Sequence, residues 1–228
     1  MPRTARAAPG GKIYHVLNRG NGRCQLFHKE MDYLAFQKLL FETREKVPLR
    51  ILAWCLMPNH WHLVLWPTED GQLSRFMLRL TTAHVRRHHA HSHTTCGGHL
   101  YQGRFKSFVV QDDEHFLVLC RYVEANPLRA QMVRKAELWR WSSLWACERG
   151  GKRDPKPEPW PLPRPPDWRE IVNATMEDRE MQQVRTSLRR GRPLGTEAWV
   201  GRIAAQLGLE FTLRDRGRPK KSEVKVGK

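Results

Sequence analysis

The sequence is short of acidic residues: 23 Asp and Glu stand against 40 Lys and Arg, which gives a formal net charge of +17. Such an excess attracts polyanions and speeds encounter with them. The chain also has no run of 18 apolar residues for a transmembrane helix, and no apolar stretch of the signal-peptide kind near its N-terminus. The five cysteines are scattered and form no Cys-x-x-Cys pair, which is typical of a reducing compartment. We therefore expect a cytoplasmic protein with a polyanionic partner and no membrane partner.

Proline is concentrated in one segment. Seven of the 15 prolines lie in residues 150–167, a density that excludes helix and sheet and predicts a stiff linker. The linker divides the chain into a first domain over residues 13–149 and a small helical accessory region over residues 168–228. Residues 1–12 are basic and contain glycine and proline, which predicts a flexible basic arm.

The spacing of apolar residues predicts the secondary structure on both sides of the linker. Strands are expected over residues 14–19, 51–57, His60–Trp66 and 105–110. Helices are expected over residues 31–46, 71–90 and 113–126, the last ended by Pro127, and over residues 168–190 and 196–208. The order β-α-β-β-α-β-α in the first domain predicts an α+β fold, a ferredoxin-like antiparallel four-stranded sheet with helices.

Two histidines, His60 and His62, occupy alternate positions of the third predicted strand. Side chains alternate between the faces of a sheet, so both imidazoles point the same way, about 7 Å apart along the strand. Two imidazoles so placed can converge on one metal ion and leave coordination positions open to substrate oxygens. Because a His-x-His pair alone is more often structural, a metal site requires a third ligand and a reacting group nearby.

The helix before Pro127 offers both of these groups. Tyr122 and Asn126 are four residues apart and therefore lie on one face, beside the apolar stripe of the helix. The phenol is a candidate nucleophile and the amide a candidate metal ligand. Alternatively, Tyr122 is a half-buried aromatic residue, and Asn126 only ends the helix.

Three ordered strings of residues resemble a known family. They are M-P-N-H-W-H-L-V-L from Met57, Y-Q-G-R-F-K from Tyr101 and R-Y-V-E-A-N-P from Arg121. Together they resemble the REP-associated tyrosine transposases, which belong to the HUH single-tyrosine transposases of bacterial insertion sequences. The resemblance covers about residues 13–145. It implies a ferredoxin-like catalytic domain that acts on single-stranded DNA, often at hairpin ends.

The resemblance also implies roles for particular residues. It makes His60 and His62 the histidine ligands of a divalent metal, Tyr122 the nucleophile and Asn126 the residue that completes the metal site. We expect the metal to be Mg²⁺ or Mn²⁺. Attack by Tyr122 on phosphorus would form a 5′-phosphotyrosine link and free a 3′-hydroxyl, which can later join strands without ATP. The sequence has no Gly-x-x-x-x-Gly-Lys-Ser/Thr loop. Tyr101, in a Gly-flanked loop, is the alternative nucleophile.

Basic residues on the predicted strands and helices are candidates for holding DNA. Arg104 and Lys106 share a face of the fourth strand, and Arg75 and Arg79 lie one turn apart on the second helix. These are candidate phosphate contacts. The alternative for the strand pair is a solvated edge whose charges oppose aggregation.

The tail contains Arg-Gly-Arg-Pro twice. One copy carries Arg190 and Arg192, and the other carries Arg216 and Arg218. The repeat resembles the core of an AT-hook, an extended element whose arginines enter narrow A·T minor grooves. We therefore expect an accessory DNA-binding region with AT-hook-like ends. Alternatively, its helices form a small helix-turn-helix-like unit.

A cluster of six histidines and one cysteine begins within the second predicted helix, and four of its members are expected in the loop that follows. Its irregular spacing and single cysteine favour a basic, mobile loop over a structural zinc site. The residues are His84, His88, His89, His91, His93, Cys96 and His99.

Taken together, these features favour an enzyme that cleaves and joins DNA, working as a monomer or a homodimer, since both occur in the family. The first alternative is a non-catalytic DNA-binding regulator derived from a transposase. The second is an RNA-binding module, because such modules also use four-stranded ferredoxin-like sheets. An RNA-binding module would not need His60, His62 and Tyr122 to converge.

Overall fold

The computed structural model describes residues 8–91 and 98–214. The strands are β1 (Ile13–Arg19), β2 (Arg50–Met57), β3 (His60–Trp66) and β4 (Lys106–Val110). The α-helices in the described ranges are α1 (Glu30–Lys46), α2 (Gln72–His91), α3 (Glu114–Glu124), α4 (Asn126–Arg129), α5 (Ser143–Glu148), α6 (Trp168–Asn173), α7 (Asp178–Arg190) and α8 (Glu197–Leu207). None of these helices is long and apolar enough to cross a bilayer.

The four strands form one sheet in the order β2-β3-β1-β4, with every neighbouring pair antiparallel. Pro58 and Asn59 form the tight turn between β2 and β3, while α1 and α2 carry the chain across the sheet between non-adjacent strands. This is the split β-α-β arrangement of a ferredoxin-like sheet. The predicted α+β fold is therefore confirmed.

One face of the sheet is covered by α1 and α2. The two helices contribute Phe36, Leu40, Phe76 and Leu80 to a core that closes over Trp61 of β3, and all five side chains are fully buried. Side chains alternate between the two faces of β3, and its odd-numbered residues Trp61, Leu63 and Leu65 pack in the core with α1 and α2. The even-numbered residues, His60 and His62 among them, are left for the opposite face.

The opposite face is covered by α3. Asp113 caps its first turn, with its carboxylate accepting from the backbone N–H of His115 at 2.9 Å. The predicted helix over 113–126 was wrong at its C-terminal end, because α3 stops at Glu124. Pro127 does not end a helix; it is the second residue of the one-turn α4, where a missing N–H costs no hydrogen bond.

The proline-rich segment lies along β2. Its Glu158 N–H donates to the Ile51 carbonyl at 2.8 Å, and the Trp160 indole N–H donates to the Leu52 carbonyl at 2.8 Å. Arg44 of α1 adds an ion pair to Glu158 at 2.6 Å. Residues 150–167 contain no helix or strand, as the prolines require. Rather than a spacer between separate units, the segment covers an edge strand.

The helices after this segment share the cores of the first domain. Trp168 of α6 and Val184 of α7 are buried with Phe116 of α3, and Ile203 of α8 joins the core beneath α1 and α2. The single helix expected over 168–190 is two helices, because Ala174 takes an extended conformation and stops α6. The helix expected over 196–208 corresponds to α8.

The first Arg-Gly-Arg-Pro copy is not an extended DNA-binding arm, which corrects the AT-hook interpretation of Arg190 and Arg192. Arg190 is the last residue of α7, and Gly191 ends that helix in the left-handed region at φ 73°. The next residues, Pro193 and Leu194, are buried, and the Leu194 N–H donates to the Val109 carbonyl at 2.9 Å. This copy therefore closes a helix and covers the free edge of β4.

Several predictions fall outside the described residues. These are the second Arg-Gly-Arg-Pro copy with Arg216 and Arg218, residues 1–7 of the basic arm, and His93 and Cys96 of the histidine cluster.

His84 of α2 is buried as a neutral imidazole on the α1–α2 face. Its Nδ1 lies 2.6 Å from the Tyr101 hydroxyl, which also accepts from the Trp61 indole N–H at 3.1 Å. Burial is the largest cause that lowers the pKa of His84 to about 3, and the neighbouring His88 adds to it. Protonation of this ring is therefore strongly disfavoured in the folded state.

His84→Gln should reduce the loss of stability in acid. Between pH 6.5 and about 3 the unfolded chain binds a proton at His84 that the folded chain does not, so stability falls as the pH falls, by about 1.4 kcal/mol per unit. Glutamine cannot titrate and keeps an acceptor oxygen for Tyr101. We expect the difference in unfolding free energy between pH 7 and about 4.5, measured with urea, to shrink by roughly 2 kcal/mol. An unchanged difference would contradict the neutral, buried state of His84.

Candidate functional site

The strand register brings the histidine pair together with basic residues on the face beneath α3. His60 lies opposite Arg19 of β1, and His62 lies opposite Leu17, whose other neighbour is Lys106 of β4. Residues directly opposite each other in antiparallel strands point to the same face. The end of this face near the β2–β3 turn therefore carries two imidazoles, a guanidinium and an ammonium group.

Each imidazole of the pair is held through its Nδ1 atom. His60 Nδ1 lies 2.7 Å from the Asn59 side-chain oxygen, and His62 Nδ1 lies 2.8 Å from Nε2 of His15. The two ring centroids are 5.0 Å apart. With both Nδ1 atoms engaged, the Nε2 atoms are the ones left to bind a ligand, and their rings are oriented by their neighbours.

Both imidazoles are kept neutral. Burial is the largest cause that lowers the pKa of His60 to about 4, and the charges of Arg19 and Arg129 lower it further. Burial also holds the pKa of His62 well below its usual value, reinforced by His60 and His15. A neutral imidazole has a lone pair for a metal ion, whereas a protonated one has none. Each ring therefore keeps a lone pair that could bind a metal ion at neutral pH.

His15 is a site residue that the sequence interpretation missed. It is fully buried between His62 and the Phe108 ring, whose centroid is 4.9 Å from its own. Its Nδ1 has no hydrogen-bond partner among the described residues. The signal was available: β1 neighbours β3 in a ferredoxin-like sheet, and His15 alternates onto the face that carries Arg19.

Tyr122 projects from α3 toward this face. Its ring lies edge-on to the His62 ring, with centroids 6.1 Å apart and an interplanar angle of 76°. The Arg129 guanidinium carbon lies 4.0 Å from the centre of the Tyr122 ring, and Arg129 Nη1 donates to the Tyr122 carbonyl at 2.7 Å. Tyr122 is 9% exposed. Its ring is therefore packed against His62 and Arg129 and largely shielded from solvent.

Asn126 follows Tyr122 by one helical turn, as the first residue of α4. Its side-chain nitrogen is buried and has no hydrogen-bond partner within residues 8–91 and 98–214. A buried side-chain nitrogen without a hydrogen-bond partner indicates either an absent ligand or an amide whose nitrogen and oxygen should be exchanged. With the amide rotated by about 180°, its oxygen would take the place of the nitrogen. In the described chain no three His, Cys, Asp or Glu side chains could together hold a metal. The Asn126 amide is therefore a candidate for a third protein ligand.

Glu124 fixes the end of α3 next to Tyr122. Its carboxylate is fully buried and accepts from the Ser143 hydroxyl at 2.5 Å and from the Trp168 indole N–H at 2.7 Å, with Arg164 3.8 Å away. These contacts tie α3 to α5 and α6, the helices on either side of the proline-rich segment. Burial raises the pKa of Glu124, and Arg164 opposes that rise.

The structure separates some predicted site residues from this face. Arg75 and Arg79 are exposed on α2, on the other side of the sheet, where Arg75 pairs with Glu69 at 3.2 Å. Tyr101, the alternative nucleophile, is buried on that same side with its hydroxyl engaged by Trp61 and His84. Neither the arginines nor Tyr101 can act together with His60 and His62 in this fold.

The strand candidates and the histidine cluster are placed as follows. Lys106 is exposed and shares the face of His62, and Arg104 is exposed just before β4 begins. His84, His88 and His89 lie on α2. No set of zinc ligands is present among these described members of the cluster.

Comparison with known proteins identifies the family of the chain. The profile of the family described as "Transposase IS200 like" matches residues 11–126, about half of the chain, a range that includes β1 to β4, α3 and Asn126. The chain belongs to this family of IS200-like transposases, which makes it a DNA-cleaving enzyme by class.

Individual relatives are more distant. The REP-associated tyrosine transposase of Escherichia coli (strain K12) is 23% identical over 136 residues, which cover 59% of this chain and 77% of that protein. A solved REP-associated tyrosine transposase bound to a REP hairpin is 21% identical, covers 66% of this chain and 87% of its own, and has a TM-score of 0.48. A transposase structure from Deinococcus radiodurans R1 is 22% identical over 57% of this chain and 92% of its own, with a TM-score of 0.39. The resemblance predicted from the three sequence strings is confirmed.

Proposed function

We propose that this transposase cleaves and joins single-stranded DNA through a covalent bond between Tyr122 and a 5′-phosphate. The observation that carries the proposal is the approach of the Tyr122 ring to His62, at 6.1 Å between centroids. A phenol and two neutral imidazoles therefore lie on one basic face. Asn126 follows Tyr122 by four residues, and its side-chain nitrogen has no hydrogen-bond partner among the described residues. The expected cytoplasmic location remains a prediction.

Mg²⁺ or Mn²⁺ is the cofactor that these residues fit. His60 and His62 would hold it through their Nε2 atoms and Asn126 through its amide oxygen, and Mn²⁺ suits nitrogen ligands better than Mg²⁺. When bound, the ion polarises the scissile phosphate and makes the phenolate easier to form. Two protein nitrogens and one amide leave coordination positions for phosphate oxygens.

The chemistry assigned to this chain is an exchange of one phosphodiester for another. The Tyr122 phenol gives up its proton to solvent and its oxygen attacks phosphorus. A bond forms between that oxygen and the 5′-phosphate, the bond to the 3′ oxygen breaks, and the 3′ oxygen takes up a proton. The reverse reaction with another 3′-hydroxyl joins strands. Because bond types and protons balance, no nucleotide hydrolysis is needed.

The substrate class follows from the charge and from the relatives. The site face carries Arg19 and Lys106, as a phosphate backbone requires. One solved relative is named for a bound REP hairpin, which favours hairpin-associated single strands here. An RNA-binding module would not require a tyrosine to lie against the histidine pair, so the approach of the Tyr122 ring to His62 favours the enzyme. The chain also keeps His60, His62 and Tyr122 together, which favours the enzyme over a non-catalytic regulator.

Tyr122→Phe should abolish cleavage of a labelled single-stranded hairpin oligonucleotide in the presence of Mn²⁺. We expect the rate to fall by about 10³-fold or more, and the covalent protein–DNA band on a denaturing gel to disappear, because phenylalanine has no nucleophilic oxygen. Tyr33→Phe is the matched control, since that ring packs against Trp141 on the other side of the sheet. Adduct formation by the Tyr122→Phe protein would refute the proposal.

The hydrogen bond between His15 and His62 decides which nitrogen of His62 can bind a metal. A neutral imidazole carries one proton, so Nε2 of His62 has a free lone pair only when Nδ1 holds that proton. The proton then lies in the 2.8 Å contact, with Nε2 of His15 as the acceptor. His15 is therefore a positioning residue for the proposed metal site.

His15→Phe should weaken Mn²⁺ binding by about 10- to 100-fold, because it removes the acceptor while keeping a ring against Phe108. His15→Gln keeps an acceptor oxygen and should lose less affinity. Titration followed by the electron paramagnetic resonance signal of free Mn²⁺ measures the change without DNA or turnover. Equal affinity in the wild type and the His15→Phe protein would remove His15 from this role.

A further inference from the structure

Two arginines at the site have no carboxylate partner anywhere in the described ranges. They are Arg19, at the end of β1, and Arg129, at the end of α4. The ion pairs of the described chain involve other basic residues. Both guanidinium groups lie close enough to the His60 ring to act on its charge. Two uncompensated cations therefore flank the imidazole that stands nearest the β2–β3 turn.

Arg129 is fixed in place although it has no counter-ion. Its guanidinium stacks on the Tyr122 ring at 4.0 Å, and its Nη1 donates to the carbonyl of the same residue at 2.7 Å. That hydrogen bond uses only Nη1, whereas a guanidinium has five N–H donors on three nitrogens. Burial lowers the pKa of Arg129, and Arg185 of α7 adds a like charge that also lowers it. Burying a cation without a counter-ion is energetically unfavourable, and a bound anion would offset that desolvation cost.

Arg19 approaches from the sheet side of the site. Its residue lies directly opposite His60 in the β1–β3 pairing, so both side chains point to the same face. Its Nε is buried and has no hydrogen-bond partner among the described residues. The strand thus supplies one unsatisfied guanidinium donor, and α4 supplies a second guanidinium from above.

We propose that Arg19 and Arg129 form a phosphate-binding pair that grips the DNA backbone beside His60 and holds it against Tyr122. Guanidinium groups bind phosphate oxygens through two parallel N–H donors, which fixes the direction of the phosphate as well as neutralising it. Since Arg129 also stacks on the Tyr122 ring, it holds nucleophile and phosphate together. The proposal rests on the proposed function of Tyr122, and Arg129 lies beyond the residues that the family profile matches.

The test measures DNA binding without chemistry. In the Tyr122→Phe protein, with EDTA, fluorescence anisotropy gives the Kd and its salt dependence for a single-stranded hairpin oligonucleotide. We expect Arg129→Gln and Arg19→Gln each to weaken binding by about 10-fold and to reduce the slope of log K against log salt by about 0.7, the value for one lost phosphate contact. Arg129→Lys should keep the slope but lose affinity, since lysine has no planar fork.

Lys38→Gln is the control for loss of one positive charge. Lys38 is exposed on α1, on the opposite side of the sheet. The Kd and salt slope of the Lys38→Gln variant should therefore match those of the Tyr122→Phe protein without further substitution. Unchanged Kd and slope in both Gln variants would overturn the proposal. If a Gln variant fails to fold, the Lys variant at that position is measured instead, and an unchanged Kd in that variant would overturn the proposal. The outcome is separate from that of the Tyr122 experiment, because a protein can bind phosphate through these arginines whether or not Tyr122 is the nucleophile.

Discussion

The packing of α3 on the sheet face that carries the histidines is the contact on which the site depends. The apolar stripe of Phe116, Leu119, Cys120 and Val123 is fully buried against that face. Tyr122 lies beside this stripe, so the rotation of the helix that buries the stripe also turns the phenol toward His62. Hydrophobic burial therefore sets the position of Tyr122, the proposed nucleophile, and the buried Glu124 ties the end of α3 to α5 and α6.

The rest of the chain supports that contact. The proline-rich segment runs along β2, and Leu194 bonds to β4, so both edge strands of the sheet are covered by the same chain. The α6 and α7 helices pack on α3 and complete the core around it. Tyr122 lies against His62 of its own chain, so a tyrosine and the histidine pair meet within one copy of the protein.

Local sequence patterns predicted the helices, the strands and the strand order. The side-chain contacts of the site depend on residues that are distant in the sequence. Alternation placed His60 and His62 on one face, and the strand order followed from the sequence of elements. Strand order and alternation place His15 on the face of His62, but the contact between the two rings across 47 residues depends on the packing of the sheet. No local pattern indicates that Arg129 folds back onto Tyr122. Arg190 and Arg192 show the opposite failure: a short basic motif predicted a DNA-binding arm, but Gly191 and the buried Pro193 serve the packing of α7 against β4.

Anomalous scattering from Mn²⁺, in crystals of the Tyr122→Phe protein with a single-stranded hairpin oligonucleotide, tests the central claim most directly. The account predicts an anomalous peak within coordination distance of Nε2 of His60 and of His62 and beside the Asn126 amide. The ring at position 122 should face a phosphate that shares the ion. Manganese bound away from this pair, or a DNA phosphate on the α1–α2 side of the sheet, would contradict it.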